Sequence, residues 1–270
     1  MGGNSKLSGM KAVILCGGKG TRIREVSEIM PKPMTAIGGK PILWHIMNIY
    51  ASQGITDFLL CLGYKGWMIK EFFLNYRTMI SDCSITLGRH AELEFHDEFP
   101  ESSWRITLAD TGENAMTGAR LYRVRKYLEG CGPFCLTYGD GVADIDLRAL
   151  VEQHERSGLA GTLTGIRMAG RFGELNITGG KVRKFQEKPA LTQGRVNGGF
   201  MVFDNRRVWD YLDDREDLTL EEEPLRRMAE AGQLGVYEHD GYWQCMDTFR
   251  EYNLLNEIWD SGKAPWKIWG

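Results

Sequence analysis

The stretch Lys11-Ala-Val-Ile-Leu-Cys-Gly-Gly-Lys-Gly-Thr-Arg22 limits what this chain can fold into more than any other. Ala12 to Cys16 is a short aliphatic, β-branched run that reads as a buried strand, and it breaks directly into a glycine-rich turn carrying two cations. Such a turn is a phosphate site in outline. Glycines let backbone N–H groups approach an anion closely, and Lys19, Arg22 and, further on, Lys32 of Pro31-Lys-Pro-Met34 supply countercharge for a polyphosphate.

The pattern downstream alternates between strand and helix. Pro41 suits the first position of a helix in which Ile42, Leu43, Ile46, Ile49 and Tyr50 form one apolar stripe, and Gly54 ends it. Asp57 to Gly63 reads as a second buried strand, followed by a helix over 67–76. Short strands are expected at 84–87, 93–96 and 105–109, then a helix over 118–128 and a strong strand at 133–138 that ends in Gly139-Asp140-Gly141. A helix over 146–157 and a strand over 161–167 continue the alternation. Between 173 and 204 the texture changes to short strands split by glycines, which suggests an antiparallel insertion or lid. Helices at 206–212 and 222–231, a strand at 235–239 and a helix at 249–261 with a tail complete the chain.

These elements predict an α/β fold: a Rossmann-like, mostly parallel (mixed) sheet flanked by helices, with a smaller antiparallel insertion. In such sheets ligands collect at the carboxyl ends of strands, so the ends at Gly17 and Asp140 are joint candidates for one site. The expected organisation is a single domain over 10–270. Within it, about 170–205 form the antiparallel subregion and about 249–270 a C-terminal helix and tail. Residues 1–9 are small and polar and read as a flexible tail or tag remnant.

Composition excludes several classes. A net charge of −3 gives no global attraction to nucleic acid or to an anionic membrane, so phosphate affinity must come from a local cluster. No apolar run of ~18 residues appears, and the amino end lacks a secretory layout, so the cytoplasm is the default location. The six cysteines include no C-x-x-C pair and read as reduced thiols; the five histidines are scattered, and no transition-metal site is expected. Trp259, Trp266 and Trp269 lie near one another, to pack back on the core or to form a subunit contact.

The turn Gly17-Gly-Lys-Gly-Thr-Arg22 has neither the Lys-Ser/Thr ending of a P-loop nor the third glycine of G-x-G-x-x-G. Alone, it is as often a mere tight turn. Joined to Pro31-Lys32-Pro33, and to Phe185-Gln-Glu-Lys-Pro189, it resembles the two signatures of the sugar-1-phosphate nucleotidyltransferases. Further segments, Asp110-Thr-Gly112, Met116-Thr-Gly118, Tyr138-Gly-Asp-Gly-Val142 and Asn197-Gly-Gly-Phe200, are similar to the branch that uses CTP and glucose 1-phosphate. Asp144-Ile-Asp146 also fits the short D-x-D of glycosyltransferases, but Asp146 more simply caps the next helix.

The resemblance implies transfer of CMP from CTP to α-D-glucose 1-phosphate with release of pyrophosphate. The insertion would lie over the sugar site. Lys32 and Arg22 would steady the triphosphate, and Lys188 the sugar phosphate. Leu15, Gly17, Gly18, Gly20, Thr21, Asp110, Thr111, Gly112, Thr117 and Arg120 would line the nucleotide. Tyr138, Gly139, Glu187, Asn197 and Gly198 would face the sugar phosphate, and Asp140 and Asp247 would hold Mg²⁺, which takes few protein oxygens and keeps substrate phosphates. A homo-oligomer, a hexamer among the family's assemblies, is the expected state. Alternatives are another sugar 1-phosphate or pyrimidine nucleotide, or a catalytically inactive regulator, against which stands the set Arg22, Lys32, Asp140, Lys188 and Asp247. Ala119 stands where the branch usually has glycine, and its methyl is expected to narrow the nucleotide site.

Overall fold

The computed structural model describes residues 7–20, 29–88, 92–167 and 194–270, and the backbone alone of 174–178 and 181–186. Seven strands form the central sheet: β1 (Lys11–Leu15), β2 (Asp57–Leu62), β3 (Arg105–Asp110), β4 (Phe134–Tyr138), β5 (Gly161–Ile166), β6 (Val196–Phe203) and β7 (Leu234–His239). Their order is β7-β5-β6-β4-β1-β2-β3. β1 pairs in parallel with β2 and β4, β2 with β3 and β5 with β7. β6 runs antiparallel to both neighbours, β5 and β4, so the sheet is mixed.

The near-continuous apolar reading of β1 and β2 has its cause in this topology, since a parallel strand covered on both faces buries every side chain. Ala12 and Ile14 face one core with Phe58, Leu60 and Leu62. Val13 and Leu15 face the other with Leu59 and Cys61, as the two-residue period of a strand requires.

Among the described residues the α-helices are α1 (Ile42–Ala51), α2 (Gly66–Leu74), α3 (Tyr76–Ile80), α4 (Thr117–Arg123), α5 (Leu147–Ser157), α6 (Glu223–Glu230) and α7 (Phe249–Asp260). α1 and α5 pack their apolar stripes into the first core, α4 and α6 into the second. Asp146 does cap α5, its carboxylate accepting from the Ala149 N–H at 2.9 Å. Gly38 and Gly39, both at positive φ, close the tight turn between the short strands Ala36–Ile37 and Lys40–Pro41.

Several expectations are revised by tertiary contacts. The helix foreseen over 118–128 is α4 followed by a 3-10 turn, Arg125–Tyr127, and that foreseen at 206–212 is a 3-10 turn, Val208–Tyr211. Only Glu174–Thr178 and Lys181–Gln186 form the antiparallel pair. The third strand expected there, β6, belongs to the central sheet. Its glycine pair looked like a break, yet the strand passes straight through it. Leu7 lies in the stretch expected to be a tail but is 2% exposed against the first core, so the packed region begins no later than this residue. The six cysteines are free thiols, and burial pushes those of Cys61 and Cys135 up to about 12.

The C-terminal tryptophans pack back on the core. Trp266 is fully buried and donates its indole N–H to His45 Nδ1 at 3.4 Å, while Trp259 stacks on Trp266 and meets His45 edge-on. His45 Nε2 lies 2.9 Å from the Ile37 carbonyl, so the neutral ring carries its proton on Nε2. Burial drives the His45 pKa down to about 4 from an ordinary 6.5. The unfolded chain takes up this proton first as pH falls, so stability should drop between about pH 6.5 and 4, by about 3 kcal/mol from this group, and level off below. In urea titrations at stepped pH, His45→Gln, which keeps one donor and one acceptor, should remove that share of the slope. An unchanged slope would show that His45 does not govern it.

Candidate active site

Three strand ends meet at one edge of the sheet. Leu15 is in register with Tyr138, so the glycine turn after β1 lies beside Gly139-Asp140 after β4, and the Gly139 N–H donates to the Leu15 carbonyl at 3.1 Å. β6 runs the other way and delivers its beginning, Asn197-Gly198-Gly199, to the same place. A loop meets this edge through the 3-10 turn Lys32–Met34, whose flanking Pro31 and internal Pro33 restrict the backbone that presents Lys32. Pro33 is seated on Gly139: a Cβ there would lie 2.8 Å from Pro33 Cγ and 3.2 Å from the Leu15 oxygen. The small residue is what lets the lysine turn approach.

Asp247 arrives from the far end of the chain. Trp243–Cys245 pairs antiparallel with Gly141–Ala143, and the Met246 N–H donates to the Asp140 carbonyl at 2.9 Å, which sets the two aspartates side by side. The next turn is fixed by a capping box on α7. Thr248 accepts from the Glu251 N–H, and the Glu251 carboxylate accepts from the N–H groups of Asp247 and Thr248 at 2.7 and 2.9 Å.

Lys32 Nζ lies 2.6 Å from Asp140 Oδ2 and 2.5 Å from Asp247 Oδ1. The lysine side chain is 12% exposed, the two carboxylates 30% and 31%. Burial works against the ammonium charge, but Asp140 first and then Asp247 more than offset it and hold the Lys32 pKa above the ordinary lysine value.

Two cavities open on either side of this centre. The first, about 310 Å³, is lined by Leu15, Gly17, Gly18, Gly20, Lys32 and Pro33 from the two turns, by Ala115, Met116, Thr117 and Arg120 around the start of α4, and by Tyr138, Gly139, Asp140 and Asp247. The second, about 250 Å³, has Thr137, Tyr138, Asp140, Gly141, Asn197, Gly198, Trp243, Cys245 and Asp247 in its wall. Tyr138, Asp140 and Asp247 belong to both. Anions entering from the two sides would therefore meet at the same carboxylates and lysine.

The structure brings most of the expected site residues together around the two cavities. Leu15, Gly17, Gly18, Gly20, Lys32, Thr117, Arg120, Tyr138, Gly139, Asp140 and Asp247 line the first cavity. Asn197 and Gly198 line the second. Thr21, Arg22, Glu187 and Lys188 fall outside the described residues. Asp110, Thr111 and Gly112 are not among the residues lining the first cavity, but they adjoin it through Arg120, which lines it. The Asp110 carboxylate accepts from the Gly112 N–H at 3.1 Å, and the buried Thr111 hydroxyl donates to the Leu62 carbonyl at 2.6 Å.

Arg120 ties these segments together. Its guanidinium, 3% exposed in the residue as a whole, donates to the carbonyls of Gly17, Leu62, Gly112 and Glu113 and to the Thr111 hydroxyl, at 2.7–3.2 Å. It holds the glycine turn against the loop after β3. A Cβ on Gly17 would collide with this guanidinium. Lys19 adds a second clasp, donating to Asn114 Oδ1 at 3.1 Å. Ala119, expected to narrow the nucleotide site, instead turns its methyl into the second core at 0% exposure.

Trp243 and Cys245 were missed as site residues. The signal was slight: Trp243 and Cys245 share one face of a three-residue strand that ends two residues before Asp247. Trp243 donates its indole N–H to the Gly198 carbonyl at 2.7 Å, and the Cys245 thiol lies 3.7 Å from Asp247 Oδ2.

A mixed sheet with a glycine turn, a caged lysine and paired aspartates at its carboxyl edge defines an α/β enzyme that joins two phosphate-bearing substrates. Residues 11–256 match the Nucleotidyl transferase family, and the chain belongs to that family. It is 49% identical over 260 residues to the glucose-1-phosphate cytidylyltransferases of Salmonella typhimurium (strain LT2) and Salmonella typhi, covering 96% of this chain and all of each relative. Its fold is also that of HddC from Yersinia pseudotuberculosis, with a TM-score of 0.66 at 23% identity over 93% of this chain and 99% of the other. Nucleotidyltransferases generally use a divalent metal.

Gly139→Ala tests the seating of the lysine turn. The added methyl must push Pro33 outward, and a displacement near 1 Å at a reacting centre costs on the order of 10²-fold in rate. Turnover should fall by about that much while stability falls by only about 1–3 kcal/mol in urea titrations. Turnover close to wild type would mean that Lys32 does not depend on this contact.

Proposed function

We propose that the protein transfers CMP from CTP to α-D-glucose 1-phosphate, giving CDP-glucose and pyrophosphate. The observation that carries this reading is the pair of cavities that share Tyr138, Asp140 and Asp247 at their junction. One accepts the nucleotide against the glycine turn and the start of α4, the other the sugar phosphate against Asn197, Gly198 and Trp243. The choice of cytosine and glucose rests on the relatives named above.

No protein nucleophile is needed. A phosphate oxygen of the sugar, already ionised at pH 7, forms a bond to the α-phosphorus of CTP while the bond from that phosphorus to the bridging oxygen breaks, and pyrophosphate leaves with the electron pair. The protein brings two anions together and stabilises the charge that develops, as in phosphoryl transfer generally. Lys32, held at the junction, is placed for the phosphates. Arg22 would join it on the triphosphate and Lys188 on the sugar phosphate, with Glu187 and Asn197 at the sugar hydroxyls.

The donor set also fits Mg²⁺. Two carboxylate oxygens within 2.6 Å of a single ammonium nitrogen already converge on a cation, and Mg²⁺ is bound by one or two carboxylates together with substrate phosphates. Asp140 and Asp247 would hold it, and it would supply charge neutralisation at the phosphate oxygens.

In the same reading residues 10–270 work as one unit with the 170–205 subregion toward the sugar, and the enzyme is cytoplasmic. It assembles as a homo-oligomer, a hexamer by family resemblance. Among the described residues no helix is long and apolar enough to cross a membrane, while the hairpin Cys83–Thr86 and Glu92–Phe95 leaves Ile85, Leu87 and Leu93 exposed, as a subunit contact would require.

Pyrophosphate release measured across CTP, dTTP and UTP with several sugar 1-phosphates tests the reaction. CTP with glucose 1-phosphate should give the highest kcat/KM, and absence of turnover with that pair would overturn the assignment. Lys32→Ala should lower kcat by about 10² to 10³, the scale of losing one charge-stabilising donor. Lys188→Ala should raise the KM for the sugar phosphate; if neither KM nor kcat moves, that lysine has no part in the site.

A further inference from the structure

Glu221 lies outside both cavity walls, yet it is bonded to each of them. Its Oε2 accepts from the Thr117 hydroxyl at 2.6 Å, and its Oε1 accepts from the Tyr138 hydroxyl. Thr117 lines the first cavity and Tyr138 lines both. Asn197 lines the second cavity together with Tyr138. A continuous chain of side-chain hydrogen bonds, Thr117–Glu221–Tyr138, therefore runs from the wall of the first cavity to the tyrosine that both cavities share.

The donors and acceptors along it admit little freedom. Thr117 Oγ1 accepts from the Leu220 N–H at 2.9 Å, so its own proton points to Glu221. The Tyr138 hydroxyl gives its proton to the other oxygen of Glu221, while the Asn197 carboxamide oxygen accepts from the Gly199 N–H at 3.0 Å. Two hydroxyl protons converge on Glu221, and a carboxylate is the side chain that accepts both. A phenol, with an ordinary pKa of about 10, is protonated at neutral pH, so the hydroxyl is a donor there.

Glu221 is also anchored. The segment before it gives the Glu216 carbonyl to the Met116 N–H at 2.8 Å and the Leu218 carbonyl to the N–H groups of Gly118 and Ala119 at 2.9 and 3.2 Å, so it is fastened to the start of α4. On the far side the Tyr138 ring rests against Gly199, at φ +81°, where a Cβ would come within 2.6 Å of the ring. The tyrosine is thus pinned between Glu221 and the backbone of β6.

We propose that Glu221 is a positioning residue that couples the two subsites: a nucleotide that orders Thr117 and the start of α4 sets Tyr138 for the sugar phosphate. The inference rests on the two-cavity reading of the reaction. Because it acts through Tyr138, loss of the carboxylate should appear in recognition of the second substrate rather than of the first.

The test uses the full-length enzyme and the nucleotide and sugar-phosphate pair that wild type turns over best, so failure of the CTP and glucose assignment is seen in wild type before any variant is read. Glu221→Gln, which can accept only one of the two protons, should raise the sugar-phosphate KM about tenfold while the KM for the nucleotide changes by less than about threefold. Tyr138→Phe removes only the hydroxyl and should raise the sugar-phosphate KM similarly. The double variant should be no worse than the poorer single, since both break the same chain. Should Glu221→Gln melt early, Tyr138→Phe carries the test alone through the same division between the two KM values. An unchanged sugar-phosphate KM, a parallel rise in both KM values, or a double variant whose loss is the product of the singles would overturn the proposal.

Discussion

The ion cluster of Lys32 with Asp140 and Asp247 is the constraint from which the rest of the site follows. Burying an ammonium is costly unless it is paired, and pairing two carboxylates side by side is costly unless a cation lies between them. The three groups are stable only together. They come from residues 32, 140 and 247, so the chain must close almost its whole length to form the cluster. The parallel pairing of β1 with β4, the seating of Pro33 on Gly139 and the short ladder between Gly141–Ala143 and Trp243–Cys245 each bring in one member.

The same cluster explains why charge rather than a nucleophile dominates the chemistry. Two phosphate-bearing substrates repel one another, and the obstacle to their reaction is bringing them into line. A site that already holds opposed charges at close range, partly withdrawn from water, has its dipoles arranged before either substrate arrives. Arg120 has a different part. Its two terminal nitrogens donate to protein oxygens, so it acts by keeping the glycine turn and the loop after β3 in fixed relation.

What could be read in the sequence was what is encoded locally. The glycine turn and the Pro31-Lys32-Pro33 segment announce themselves because glycine and proline determine backbone shape by their own chemistry. Asp146 as a cap is equally local. Asp247 became legible only through resemblance, because its place depends on a strand pairing across about a hundred residues that no window of sequence contains. The Asp110-Thr-Gly112 segment shows the opposite limit. Its likeness to the family was clear, but whether it lined the cavity or only adjoined it depended on where the Arg120 side chain went. Trp243 and Cys245 escaped notice since a three-residue strand is too short for alternation to stand out. Glu221 carried no signal at all, being one acid among several on an exposed loop.

The reversed direction of β6 has a consequence for how such an enzyme can change. In an all-parallel sheet every strand reaches the ligand edge with its carboxyl end, and each specificity loop must also carry the chain back toward the opposite edge. β6 arrives there with its amino end, immediately after the 167–195 segment, while Ile166 at the end of β5 lies beside Val196 at the start of β6. The excursion between them therefore leaves and re-enters the sheet at neighbouring points. Its length and sequence are free to vary without altering the register of any sheet strand, so under the proposed assignment of this segment to the sugar, recognition of the sugar can drift while the phosphate chemistry stays where it is.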